Sequence, residues 1–254
     1  MDLKNKHFVI IVTCVIFLAC NDTVPKLRNI EGQRIQVNNA ATPKDSIENI
    51  ISPYHNRINQ VLDSILAFAP RAISKTDGTL NTPAGNLMAD IVMHEVDPVF
   101  TTRTGNKIDL VLLNFGSIRS VISAGNITER TAYEVMPFEN SVVIAELDGK
   151  AIRAMVSFLI KSTVAHPIAG IQIITDKNKS LQAVNIQGEP FDENRTYFVA
   201  TSDYLVTGGD SMDFLKDYIS LTDSDYLIRN TMIDYFKKMD TINAYEDNRF
   251  IKID

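Results

Sequence analysis

The chain reads as an α+β protein, a single domain in which a mixed β-sheet is flanked by helices. Three observations lead there. Helices and strands are segregated along the chain, so a regular βαβ alternation is absent. Three strand candidates follow one another between residues 170 and 201 with no helix between them. At 254 residues and 45% hydrophobic content, with no internal repeat, one substantial core is the simplest arrangement.

Taken in order, residues 1–20 read as a signal rather than fold. Lys4 and Lys6 precede FVIIVTCVIFLA, an apolar run too short to span a membrane comfortably. Ala19 before Cys20 has the look of a bacterial lipoprotein signal, in which Cys20 is lipidated and anchors the exported protein to the cell envelope. The alternative is an uncleaved N-terminal anchor. Residues 21–43 lack sustained periodicity and carry many polar breakers, the composition of a flexible tether.

From residue 44 the pattern becomes regular. Ile47, Ile50, Ile51, Tyr54, Ile58, Val61, Leu62 and Ile65 follow three-and-four spacing, which predicts an amphipathic helix over 44–66, with Ser52-Pro53 as a point of division. After an extended piece at 65–75, Thr82 and Pro83 open a second helix with Leu87, Ile91 and Val92 on one face. A strand at 108–113 runs into the turn NFGSIR, a short helix starts near Thr128, and SVVIAEL at 141–147 is a strand leading into DGKAIRAMVSFLIK. Strands GIQIITD, LQAVNIQG and TYFVATS follow, then the loop DYLVTGGDSM. Helices are expected near 211–218 and 224–238, and RFIKI closes a sheet edge.

Composition narrows the function. The formal charge is −6, which argues against nucleic acid as a partner, since phosphate backbones select a basic face. Four histidines stand as singletons with no metal-ligand spacing, and His55, His94 and His166 read as solvent-facing or core-edge residues. No Gly-x-Ser-x-Gly elbow and no P-loop occurs, and no carboxylate pair marks an acid/base couple. No catalytic residue and no metal ligand is assigned.

Three segments have the character of ligand contacts, polar or aromatic groups set in Gly-punctuated loops after strands. NFGSIR offers the Asn114 amide and the Arg119 guanidinium; MPFEN offers Phe138 and Asn140; DYLVTGGDSM offers Tyr204 and Asp210. Two aromatic rings can sandwich a flat ligand while amide and carboxylate bond its edge and the guanidinium meets a polar or anionic group. Read singly, Phe138 is equally a core residue, GGD a turn and Arg119 a surface charge.

The ordered occurrence of AGNLMAD, DLVLLNFGSIRSVISAGNITERTAYEVMPFENSVVIAELDGKAI and VNIQGEPFDENRTYFVATSDYLVTGGD resembles the C-terminal domain of the 5'-nucleotidase family, periplasmic or surface enzymes that hydrolyse nucleotides and UDP-sugars. The likeness runs from about residue 44 to the end, with ISPYHNRINQVLDSIL similar to the helix that links the family's two domains. It implies that Phe138 and Tyr204 stack on the base of a nucleoside or nucleotide, with Asn114, Arg119, Asn140 and Asp210 as polar contacts.

The turn departs from the family's Asn-Gly-Gly-Gly-Ile-Arg type, carrying Phe115 and Ser117 where glycines stand. Gly-Gly-Asp-Gly becomes GGDS with Ser211, and where the family has arginine before the Gly-Asn helix this chain has Leu80 and Asn81, Lys75 being the nearest upstream cation. The family's hydrolysis takes place on two divalent metals in a separate domain, for which residues 21–43 leave no room. The resemblance therefore implies a split enzyme, in which an exported metallophosphatase chain supplies the metals. Alternatives are a non-catalytic nucleoside- or nucleotide-binding lipoprotein and a decayed structural domain.

Overall fold

The computed structural model describes residues 27–36 and 44–253. The expected signal at 1–20, with Cys20, lies outside the described residues, as does most of the 21–43 segment; residues 27–36 carry no helix or strand and are exposed. Contacts divide the chain into two units, Met1–Asn49 and Ile50–Asp254. Among the described residues no helix is long and apolar enough to cross a membrane.

The first helix, α1, spans Asp45–Leu62 without interruption, so Pro53 sits inside it and the expected division there does not occur. No residue of α1 is buried, and water can therefore satisfy the carbonyl that Pro53 leaves without its in-helix N–H. Ile51, Tyr54, Ile58 and Val61 stand exposed along it. The helix end is fastened by Arg130, which donates from Nε to Asp63 Oδ1 at 2.7 Å and from Nη2 to Asn59 Oδ1 at 2.9 Å.

Strand β1 (Ile65–Ala69) pairs antiparallel with β3 (Gly125–Thr128). Helix α2 (Pro83–Thr104) begins as its sequence requires: the Thr82 side chain accepts the Gly85 N–H at 3.1 Å, and Pro83 occupies a first-turn position that needs no N–H partner. It ends at Gly105, whose φ of 78° supplies the left-handed cap. Its first turns are buried all round, beyond the single apolar face expected.

The central sheet has five strands in the order β10-β4-β9-β2-β5: Ser220–Leu227, Ser141–Asp148, Thr196–Ser202, Leu110–Leu112 and Ile168–Ala169. It is mixed, because β9 and β2 run parallel while the other neighbours are antiparallel. Along β4, Val142 and Ile144 enter one core together with α2, α3 (Glu129–Val135) and α6 (Ile228–Lys238). Val143, Ala145 and Leu147 enter a second core with α4 (Gly149–Lys161). A sheet covered on both faces selects continuous apolar strands, which explains why LVLL and VVIA show no alternation.

A second sheet, ordered β11-β6-β7-β8, is built from Phe250–Lys252, Ile171–Thr175, Leu181–Ile186 and Glu189–Pro190. RFIKI therefore does close a sheet edge, pairing parallel with β6.

Two expected helices differ. Residues 211–218 hold only 3-10 turns, the end of Gly209–Ser211 and Asp213–Leu215, and the segment from 224 is strand up to Leu227, with helix from Ile228. SLTDSDYL is an edge strand with a bulge between Asp223 and Tyr226, where Asp225 takes φ 58°. Its outer face meets water, so no apolar alternation marks it as a strand.

Candidate functional site

The parallel pair β2 and β9 ends at one edge of the central sheet, and the antiparallel β4 begins there, with Val142 beside Ser202. Loops 113–120, 136–140 and 203–212 must therefore emerge together. They enclose a cavity of about 520 Å³ lined by Asn114, Gly116, Ser117, Arg119, Phe138, Glu139, Asn140, Tyr204 and Asp210. All six residues named from the sequence line this one cavity.

The polar wall is a network centred on Asp210. Its Oδ2 accepts the Asn114 amide at 2.7 Å and its Oδ1 accepts the Tyr204 hydroxyl at 3.1 Å. Asp210 (φ 51°) and Ser211 (φ 61°) both hold left-handed backbone, a conformation costing a side-chain-bearing residue about 1–2 kcal/mol. Asn114, 8% exposed, and Tyr204 hold the Asp210 carboxylate in place against that tendency. Tyr204 itself sits on the short helix α5 (Asp203–Val206), started by Ser202, whose side chain accepts the Leu205 N–H. Asp203 ties two loops together, its Oδ1 accepting the Asn140 amide at 2.9 Å and the Tyr204 N–H at 2.7 Å.

The two aromatic residues are both presented to solvent, Phe138 at 43% and Tyr204 at 44% exposure. Both half-exposed rings line a cavity whose other side chains are polar or charged. Arg119 is exposed on the same wall; its Nη1 donates to Gly116 O at 3.4 Å and its guanidinium carbon lies 6.0 Å from the Phe138 ring centre.

Phe115 and Ser117, the departures in the turn, do not block the cavity. Phe115 is turned to a neighbouring hollow with Thr79 and Thr163, where Lys75 Nζ lies 4.2 Å from its ring centre. Lys75 also donates to the Phe115 and Ile118 carbonyls, and burial, then the nearby Arg119 charge, holds its ammonium below the ordinary range. Ser117 is buried, its hydroxyl donating to Asn114 O at 2.7 Å.

Three supporting residues were not assigned a role from the sequence. Of the two placements expected for His166, solvent-facing or core-edge, the structure shows the buried one, and its Nδ1 accepts the Phe115 N–H at 3.3 Å. Burial pushes its imidazole pKa down, opposed by the Asp210 carboxylate. Glu139 lines the cavity and accepts from Arg229 Nη2 at 3.2 Å. Arg229, 4% exposed, also donates from Nη1 toward the carbonyls of Met136, Pro137 and Phe138 at 3.5, 3.3 and 3.2 Å. The signal for Arg229 lay in its position: with Met232, Ile233 and Phe236 it occupies the buried stripe of α6.

Among the described residues no three His, Cys, Asp or Glu side chains converge as a metal-holding group, so this donor set does not fit a two-metal centre. The arrangement supplies two half-exposed aromatic rings, an anchored carboxylate, amides and one guanidinium, groups whose chemistry can stack on and hydrogen-bond a flat, polar-edged ligand.

Comparison with known proteins identifies the family of this domain. The 5'-nucleotidase C-terminal domain model matches residues 65–217. Protein UshA of Escherichia coli (strain K12) is 29% identical over 146 residues, covering 56% of this chain and 26% of that protein. A probable 5'-nucleotidase of Treponema pallidum is 24% identical over 189 residues, covering 66% of this chain and 32% of its own length. The chain thus spans about a quarter to a third of these relatives. Among solved structures, the 5'-nucleotidase precursor from Thermus thermophilus superposes with a TM-score of 0.68 at 23% identity, covering 83% of this chain and 44% of that one. That likeness establishes the fold, and with the family match over residues 65–217 the chain belongs to the 5'-nucleotidase C-terminal domain family.

Proposed function

We propose that this chain is the nucleoside- or nucleotide-recognition domain of a split 5'-nucleotidase-type phosphohydrolase, working in nucleotide catabolism with a separate exported metallophosphatase chain that carries two divalent metals. The observation that carries this reading is the convergence of Asn114, Arg119, Phe138, Asn140, Tyr204 and Asp210 on one cavity. Stacking on aromatic side chains is worth about 1–3 kcal/mol per base. The amides and the Asp210 carboxylate provide acceptors and donors for base and sugar edges, and Arg119 is available to an anionic group. The exposed apolar residues of α1, Ile51, Tyr54, Ile58 and Val61, are the surface on which the phosphatase chain would dock. Lipidation at Cys20 would hold the assembly at the envelope.

The test has two stages. Calorimetry with adenosine and AMP on wild type and Phe138→Ala should show binding that the substitution weakens. Addition of the chain to a purified exported dimetal phosphatase from the same cells should then change phosphate release from AMP. No change in rate, with binding intact, discards the split enzyme and leaves the second reading, a non-catalytic binding lipoprotein. That reading is favoured by one feature: all six contact residues come from a single chain. Absence of binding to either ligand removes both and leaves a structural domain.

A further inference from the structure

We infer that Arg229 is a positioning residue of the cavity, which sets the presentation of Phe138 without touching the ligand. The inference rests on the recognition role proposed above.

Phe138 lies in the loop 136–140 between α3 and β4, and little within that loop explains why its ring stays half-exposed at the cavity wall. An apolar ring offered to water gains by folding back onto nearby apolar surface. The backbone of the loop is instead held from behind. Arg229 directs Nη1 at three successive carbonyls, those of Met136, Pro137 and Phe138, and its Nη2 donates to Glu139 Oε1. The next contact along is also made by α6, where the Ile228 N–H donates to Asn140 O at 3.0 Å. Every residue from Met136 to Asn140 is thus fastened to the first turn of one helix.

The guanidinium is suited to this task. It is planar, so one group can reach several oxygens in fixed directions, and it stays charged when buried. Its carbon lies 4.2 Å from the centre of the Tyr133 ring, which covers one face. Its Nε has no hydrogen-bond partner among the described residues. A buried, charged group left with an unmade bond is a poor choice for stability alone, where an apolar side chain of like size would fill the stripe with Met232 and Phe236. Holding a strand-less loop in one shape is what that charge accomplishes.

Glu139 gives the clamp a second consequence. Its carboxylate belongs both to the cavity lining and to the Arg229 pair, with the arginine side chain 5% and the glutamate side chain 80% exposed. The exposed partner can exchange with water while the buried one stays, so the carbonyl contacts, rather than the ion pair, hold the loop.

The test is a double-mutant cycle in the intact chain, with adenosine as the probe. Arg229→Met keeps length and apolar packing but removes all the donors. Phe138→Leu removes the ring and leaves a loop of similar size. If Arg229 acts through Phe138, Arg229→Met weakens adenosine binding about tenfold alone and less than twofold in the Phe138→Leu background. Equal losses in both backgrounds, or no loss in the folded single variant, overturn the inference.

A readout without ligand separates this from the proposed function. Amide hydrogen exchange across residues 136–141 should quicken in Arg229→Met relative to wild type, while exchange in β9 and α2 stays within twofold. Unchanged exchange at 136–141 overturns the inference even if adenosine does not bind. Quickened exchange with no adenosine binding by wild type sustains the clamp and counts against the recognition role.

Discussion

Adding one methyl group at Gly209 should separate binding from stability. A Cβ built there falls 2.4 Å from Tyr204 Cε1, 2.5 Å from Cζ and 2.7 Å from Cδ1. Carbon atoms pack at about 3.5–4.0 Å, so in Gly209→Ala the ring must shift by about 1 Å or more. Tyr204 is 44% exposed and anchored at its tip by the 3.1 Å bond to Asp210, so it can swing toward water. The structural cost is then about one exposed hydrogen bond, ~1 kcal/mol, or a melting shift of about 2–4 °C for a domain of this size. The ring leaves its place in the cavity, however, and a stacked base loses about 1–3 kcal/mol, which is roughly 5- to 150-fold in affinity.

Gly149→Ala is the matched control. There the Cβ falls 2.2 Å from the Glu193 carbonyl oxygen and 2.6 Å from its carbon, both backbone atoms that no rotamer can move aside. Overpacking of that kind costs about 1–3 kcal/mol. Gly149→Ala should melt lower with adenosine affinity unchanged; Gly209→Ala should lose affinity with a melting shift of only about 2–4 °C. Calorimetry and thermal melts on both variants check this. Full adenosine affinity in Gly209→Ala would refute the placement of Tyr204 as a stacking face.

Three further outcomes follow from single contacts. His166 is neutral in the fold because burial lowers its pKa below the ordinary value of about 6.5. The unfolded chain therefore takes up a proton first as pH falls. Stability should drop from about pH 6.5 downward through the folded pKa and be full above that window. Thermal melts of wild type and His166→Gln between about pH 4.5 and 7.5 should show this component of the slope disappearing in the variant. Tyr204→Phe removes the hydroxyl bond to Asp210 while keeping the ring, and adenosine affinity should stay within about threefold; a loss above tenfold would mean the hydroxyl, not the face, is the contact. Thr82→Ala deletes the N-cap of α2 and should cost about 1 kcal/mol, seen as a lower melting temperature with unaltered ligand binding.

Legibility in the sequence tracked how local the physics was. The Thr82–Pro83 start of α2 and the Thr128 start of α3 rest on contacts three residues apart, and a sequence shows such spacing directly. Strand β4 was visible because burial on both faces makes it continuously apolar. Strand β10 was not, since an edge strand with polar outward residues and a bulge at Asp225 has neither apolar run nor alternation. Pro53 misled for a related reason: proline disfavours a helix interior through its missing N–H and its ring clash, but α1 is exposed along its length, so water reaches the freed carbonyl and the helix runs on past it.

The cavity shows the same division. Residue types and loop positions nominate Asn114, Phe138, Tyr204 and Asp210, because polar and aromatic groups after strands have few other reasons to cluster. Direction is another matter. Phe115 adds bulk to a turn where glycine is expected, and sequence cannot say which way the bulk points. Its carbonyl and ring are both engaged by Lys75, and its N–H by His166, residues 40 and 51 positions away. Those long-range partners draw the ring into the neighbouring hollow, and the cavity stays open. Lys75, the nearest cation upstream of the Gly-Asn helix, also fastens the turn from behind through the Phe115 and Ile118 carbonyls. Arg119 is then the one cationic side chain among the described residues lining the cavity. An anionic group bound there has a single guanidinium to meet, and the flat faces and the Asp210 network must supply the rest of the recognition.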